Sequence, residues 1–212
     1  ATREIDYILE GYSEHQLSTV KLEARNDKGS ALLYVHLPDQ CLVYDYLSSQ
    51  KLQSPVWYIL RSSVTGLAEY RAKNLVYAYG KWLVDDPQSS TVGYLSDTIG
   101  SHWGDVIGWE FGTGITYNSA KGAIFHELEL TTLTGRIELG KNPRISTEYS
   151  ADGQTWSVPK SIEAGMIGDR TKRLVWRRQG TMKNIRIQRF KGDSSAHLSF
   201  ARLEAQLEPL TV

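Results

Sequence analysis

Two hundred and twelve residues, 41% hydrophobic and 23% charged, make one large or two small globular domains. Twenty-four Lys and Arg balance twenty-four Asp and Glu, so no net field draws the chain onto DNA or anionic lipid, and any such contact has to be local. No apolar run approaches the roughly 20 residues of a membrane-spanning helix, the opening Ala1-Thr2-Arg3-Glu4 has no basic-then-apolar leader pattern, and the single Cys41 excludes an intrachain disulfide and a multi-thiolate zinc site.

The opening carries the one helical signal. Ile5, Ile8 and Leu9 fall at i, i+3, i+4 before Gly11, and Ser13 to Gln16 has the spacing of a capping box. After it, short apolar runs broken by Gly, Asn, Asp, Ser or Pro read as strands: Thr19 to Arg25, Ser30 to Leu37, Cys41 to Leu47 and Val56 to Leu60 form one set of four. Gly66 to Arg71, Leu75 to Tyr79, Lys81 to Val84 and Thr91 to Leu95 form another. Leu33-Tyr34-Val35 and Leu75-Val76-Tyr77 lie 42 residues apart, near the period of four-stranded propeller blades. A closed propeller needs about four to eight blades, more than residues 1–118 can hold.

Beyond a polar, small-residue stretch at 118–122 the strands lengthen: Ala123 to Leu133, Arg144 to Ser150, Thr155 to Pro159, Arg173 to Arg178, Lys183 to Phe190 and Ala196 to Leu207. The fold class expected is therefore all-β: propeller-like blades over 1–118, then a sandwich or divergent pair of blades over 119–212. Alternation puts Ile124, His126, Leu128 and Leu130 on the core face of their strand, and Phe125, Glu127 and Glu129 on the other.

Chemistry-bearing patterns are sparse. Glu127 and Glu129 stand roughly 7 Å apart along one strand face, which overlaps glycosidase carboxylate separations; alternation also produces such pairs routinely on wet faces. The histidines at 15, 36, 102, 126 and 197 show no metal-ligand spacing, and no metal or cofactor is expected. Gly112-Thr113-Gly114 lacks the third glycine of a dinucleotide loop, with Tyr117 in its place. Cys41, in an apolar strand, reads as a packed small hydrophobe.

Ser150-Ala151-Asp152-Gly153-Gln154-Thr155-Trp156 resembles the Asp-box hairpin of sialidases and other propeller proteins, one residue short between Asp and Gly. In that resemblance Ser150, Asp152, Gly153 and Trp156 are structural, the Asp capping a turn and the Trp packing beneath the sheet. From 170 to 191 the chain carries nine basic side chains and no acidic one: Arg170, Lys172, Arg173, Arg177, Arg178, Lys183, Arg186, Arg189 and Lys191. Such segregation suits a partner with negative charge, DNA or an acidic protein surface. It equally suits strand edges that resist unwanted pairing.

Pro38 to Asp45, Val56 to Ser62, Tyr149 to Trp156, Gly165 to Gly168 and Arg173 to Gly180 occur in an order that resembles the packaged-DNA stabilization proteins of P22-like short-tailed phages, also called tail accessory, tail hub or nozzle proteins. Gly168-Asp169-Arg170 departs from that pattern, where relatives more often carry an aromatic before the Arg. The resemblance implies a C-terminal portion of a longer protein, in keeping with Ala1 in place of Met. It implies a virion component made in the host cytoplasm: a ring, expected to be a homo-hexamer, beneath the adaptor ring of the portal. There it would extend the DNA channel, retain packaged genome and seat the tail needle, with tailspikes as further neighbours and no catalysis. A strongly basic lumen would hold sliding DNA through its phosphates, so protein contact is the first expectation for the basic stretch and non-specific DNA contact the second. Two other classes are a sialidase-like glycosidase, resting on the Asp-box-like turn and Glu127/Glu129, and a carbohydrate binder, which would need Trp82, Trp103 and Trp109 exposed together; burial of these three is the expectation.

Overall fold

The computed structural model describes residues 3–119, 121–135, 140–194 and 198–211. Two compact units divide it: residues 1–97 with 102–107, and residues 98–101 with 108–212.

The first unit opens with α1 (Arg3–Leu9) and α2 (Glu14–Leu17). Ser13 and Gln16 form the capping box expected from their spacing, and Ile5 of α1 is buried with Leu37 and Leu42. Four strands, β1 (Lys21–Asp27), β2 (Ser30–His36), β3 (Cys41–Asp45) and β4 (Trp57–Leu60), pair in chain order as an antiparallel meander. The expected strand to Leu47 stops at Asp45. The Asp45 carboxylate accepts the Ser48 N–H at 3.0 Å and so caps α3 (Tyr46–Leu52).

The second sheet of this unit has three strands, β5 (Lys73–Ala78), β6 (Lys81–Asp85) and β7 (Val92–Tyr94). Gly66 to Arg71, expected as a fourth, is irregular. It is held by side chains instead: the Arg71 N–H reaches Ser62 Oγ at 3.0 Å, and its guanidinium donates to Asp86 and Asp105 at 2.6–3.0 Å. The 42-residue spacing also matched non-equivalent strands, since Leu33-Tyr34-Val35 closes the hairpin β1–β2 whereas Leu75-Val76-Tyr77 opens the hairpin β5–β6. Two short strands, β8 (Ser101–His102) and β9 (Asp105–Val106), pair with each other.

The second unit comprises β10 (Trp109–Gly112), β11 (Thr116–Tyr117), β12 (Ala123–Thr132), β13 (Arg144–Ser150), β14 (Lys160–Glu163), β15 (Leu174–Met182), β16 (Ile185–Gly192) and β17 (Phe200–Pro209). One sheet runs β10-β16-β13-β14, with β11 also on β16; the other runs β15-β12-β17. Phe125, Leu128, Leu130, Leu174, Trp176 and Met182 of the second sheet meet Ile145 and Phe190 of the first in one core, so this unit is a sandwich. Trp109 lies over Gly192, where a Cβ would come within 2.6 Å of the indole, so only glycine fits that pairing.

Several expectations change here. β10 and β11 pair with β16, so the domain boundary falls near residue 107 and not at 118/119; Ala120 of the expected linker lies outside the described residues. Thr155 to Pro159 is not a strand, and β14 starts at Lys160. The last strand runs from Phe200, and the earlier part of its expected range, including 196–197, is either irregular or outside the described residues. The core face of β12 also changes midway: the pairing shifts between Phe125 and Glu127, leaving His126 as an extra, exposed residue relative to β17. Phe125 therefore points inward together with Leu128 and Leu130, although uninterrupted alternation would separate them.

Candidate functional site

The basic stretch 170–191 spans two strands, β15 and β16, that belong to different sheets, and this disperses its side chains. Arg173 and Arg177 stand on the outer face of the three-stranded sheet, where they meet the acids of the neighbouring strand: Arg173 Nε lies 2.7 Å from Glu129 and Arg177 Nε 3.2 Å from Glu127. Arg189 and Lys191 stand on the outer face of the other sheet and share Glu148, a carboxylate only 4% exposed. Burial pushes Glu148 up, but hydrogen bonds from Lys191 and Arg189 outweigh it and hold the group below the usual carboxylate range.

Arg186 does not belong to any partner-contacting face. It is 1% exposed, because alternation along β16 turns Arg186, Gln188 and Phe190 into the core. Its guanidinium lies between the rings of Phe125 and Tyr149, 4.3 and 4.0 Å from their centroids. Nε and Nη2 donate to Gln188 Oε1 at 3.0 and 2.8 Å, and Nη1 to the Gln179 carbonyl at 2.8 Å. Gln188 Nε2 passes the network on to Thr147 Oγ1 and the Glu148 carbonyl. Desolvation lowers the Arg186 pKa to about 10, still well above neutrality, so a cation is held in the core by π faces and amide oxygens.

What remains of the expected basic face is Arg170, Lys172, Arg178 and Lys183. Arg170, Arg178 and Lys183 are exposed. Lys172 and Arg173 are brought together with Arg144 around an open groove of about 360 Å³, whose wall also contains Ser161, Ile162, Glu163 and Val175. Among the described residues the stretch thus converges here and, through Arg189 and Lys191, at Glu148. Glu148 was missed by sequence reasoning; its signal was the outward position on β13 opposite Ile145 and Thr147, directly across from Arg189.

The turn after β13 is built as its residues suggested. Asp152 Oδ1 accepts the N–H groups of Gln154 and Thr155, each at 2.8 Å, and Oδ2 accepts Thr155 Oγ1 at 2.6 Å. Ser150 Oγ accepts the Gly153 N–H at 2.8 Å, with Gly153 at φ +79°. These bonds, led by the Thr155 hydroxyl, hold Asp152 far below the usual carboxylate range. Trp156 is not beneath the sheet: it lies on the outer face with the Arg189 guanidinium 3.7 Å from its centroid.

The catalytic alternatives lose their geometry. Glu127 and Glu129 are ion-paired, and the Arg173 hydrogen bond lowers Glu129, the opposite of what a general acid requires. Cys41 is fully buried and burial pushes its thiol up to about 12. Trp82, Trp103 and Trp109 are each partly buried and packed against another ring of their own unit, Tyr77, His102 and Phe111. Among the described residues no three His, Cys, Asp or Glu side chains converge as metal ligands, and His197 lies outside them. Among the described residues no helix is long and apolar enough to cross a membrane.

Comparison with known families matches both units. Residues 1–100 match the family model described as Bacteriophage P22 Gp10, beta-propeller, and residues 108–208 the one described as Bacteriophage P22 Gp10, beta-sandwich. The chain belongs to the P22 Gp10 family. The chain is 27% identical over 187 residues to the tail hub protein gp10 of Salmonella phage P22, an alignment covering 87% of this chain and 38% of that relative. The family's propeller-then-sandwich order coincides with the two units and with their division near residue 107.

Proposed function

We propose that the chain is a structural component of a short-tailed phage tail, part of a hub or nozzle in the virion. The observation that carries this reading is the succession of both P22 Gp10 domain types along one chain, together with the similarity to a tail hub protein. In this reading the protein assembles in the host cytoplasm into a homo-hexameric ring below the portal and its adaptor. The ring extends the DNA channel, retains packaged genome and seats the tail needle, with tailspikes as further neighbours. It performs no catalysis.

The dispersal of the basic stretch favours protein contact over DNA contact. Four of its cations are engaged with Glu127, Glu129 and Glu148 and a fifth is in the core, so no continuous strip tracks a phosphate backbone. Arg170, Arg178, Lys183 and the groove with Lys172 remain as candidate contacts for acidic surfaces of neighbouring tail proteins. Electron microscopy of the full-length protein added to purified portal–adaptor complexes tests the reading. New ring density below the adaptor is the expected result, and failure to bind an intact adaptor would overturn it.

A further inference from the structure

β17 is ten residues long, pairs with β12 on one side and, among the described residues, with nothing on the other. Almost every residue along it is exposed, and Leu207 on its apolar side is 41% exposed. A free edge of this length is a template for another strand.

The direction of its unused backbone groups follows from one bond. Leu210 donates its N–H to the Gly122 carbonyl, so alternation turns the even-numbered amides from Glu208 back to Arg202 toward β12. The odd-numbered groups of Leu203, Ala205 and Leu207 then face the free edge. Pro209 falls on that same outward set, where its missing N–H costs no bond to β12.

We propose that this edge pairs with the same edge of a second copy, antiparallel about a two-fold axis at Ala205. In that register Leu203 faces Leu207 of the second copy and covers its exposed side. Glu204 faces Gln206, and Arg202 faces Glu208, twice over because the contact is symmetric. Sliding the pairing one step either way places Glu204 against itself or against Glu208 of the second copy, so like charges exclude the adjacent registers. The charged members are exposed, the Arg202 side chain at 73% and that of Glu208 at 63%; each also has an exposed partner in its own chain, Glu204 and His126, at 3.2 Å, and such surface pairs exchange at little cost. A two-fold axis cannot lie within a polar head-to-tail ring, so the pairing describes the free chain, and it goes beyond the tail reading without resting on it.

Sedimentation velocity, with hydrogen exchange on the same samples, tests the pairing. The chain is expected to sediment as a dimer at micromolar concentrations, with the Leu203, Ala205 and Leu207 amides protected only in the dimer. Ala205→Pro removes the central outward N–H and is expected to give a folded monomer. Arg202→Glu, on an exposed side chain, is expected to raise the dissociation constant roughly tenfold or more, and adding Glu208→Arg to restore it. A chain that stays monomeric would overturn the proposal, as would a dimer whose β17 amides exchange freely or whose affinity ignores the charge reversal.

Discussion

In the first unit a buried histidine, His36, is paired with Glu23; in the second a buried arginine, Arg186, has among the described residues no carboxylate partner. His36 is 3% exposed and lies between the rings of Tyr34 and Tyr70, with Nε2 2.9 Å from Glu23. The other oxygen of Glu23 accepts the Leu75 N–H, so the pair joins the four-stranded and three-stranded sheets. Arg186 likewise reaches across sheets, to Gln179 on β15 and the Phe125 ring on β12. The chemical difference matters: imidazole titrates near neutrality and guanidinium does not. The His36 contact is therefore one that acid can alter, and the Arg186 contact one that keeps its charge.

The largest test of that contrast is Arg186→Met. It leaves Gln188 Oε1 and the Gln179 carbonyl without donors in the core, and should cost about 3 kcal/mol. Hydrogen exchange resolved by peptide should show the loss over β12 and β16 while β1–β3 stay protected. Arg186→Lys should recover only part of it, since an ammonium lacks the planar fork; full recovery would show that charge alone suffices. Glu148→Ala comes next, at about 2 kcal/mol, because Arg189 and Lys191 lose a shared, buried partner. Chemical denaturation measures it, and a neutral result would mean Trp156 alone positions Arg189.

The third test is pH. Burial lowers the pKa of His36, against the opposing pull of Glu23, and lowers that of His102 with help from Arg71. As pH falls through about 6.5 the unfolded imidazoles bind protons first, so the unfolded state is favoured and stability falls. The loss continues until the folded imidazoles protonate, at about 1.4 kcal/mol for each unit of separation. First-unit peptides should thus lose exchange protection between pH 7 and 5 while the Arg186 network does not respond, and His36→Gln should flatten roughly half of that slope. A slope of equal size in both units would break the comparison. The smallest effect is expected for Asp152→Ala, which opens an exposed turn: faster exchange at Gln154 and Thr155 with little change in the melting temperature.

How much was legible in the sequence differs by residue. The capping box at Ser13 and Gln16, the hairpin of β1 and β2, the turn around Asp152 and the burial of Cys41 were all readable, because each depends on neighbours within a few positions or on simple alternation. Asp45, which caps α3, was instead read as part of the strand Cys41 to Leu47, because an apolar run surrounds it. The basic stretch was legible as composition and not as a surface. The sequence cannot say that its two halves enter different sheets, or that Glu127, Glu129 and Glu148 come opposite its cations.

The sequence alone determined the all-β class, the change to longer strands in the second half and the residues of the tight turns, since local propensity and period act over short distances. Only the tertiary structure decided that Arg186 is a core residue, that β12 changes phase at His126, that β10 and β11 belong to the sandwich, and that among the described residues β17 pairs on one side alone. Each of these depends on which strand lies alongside which, and strand pairing joins residues too far apart in the chain for any local pattern to record.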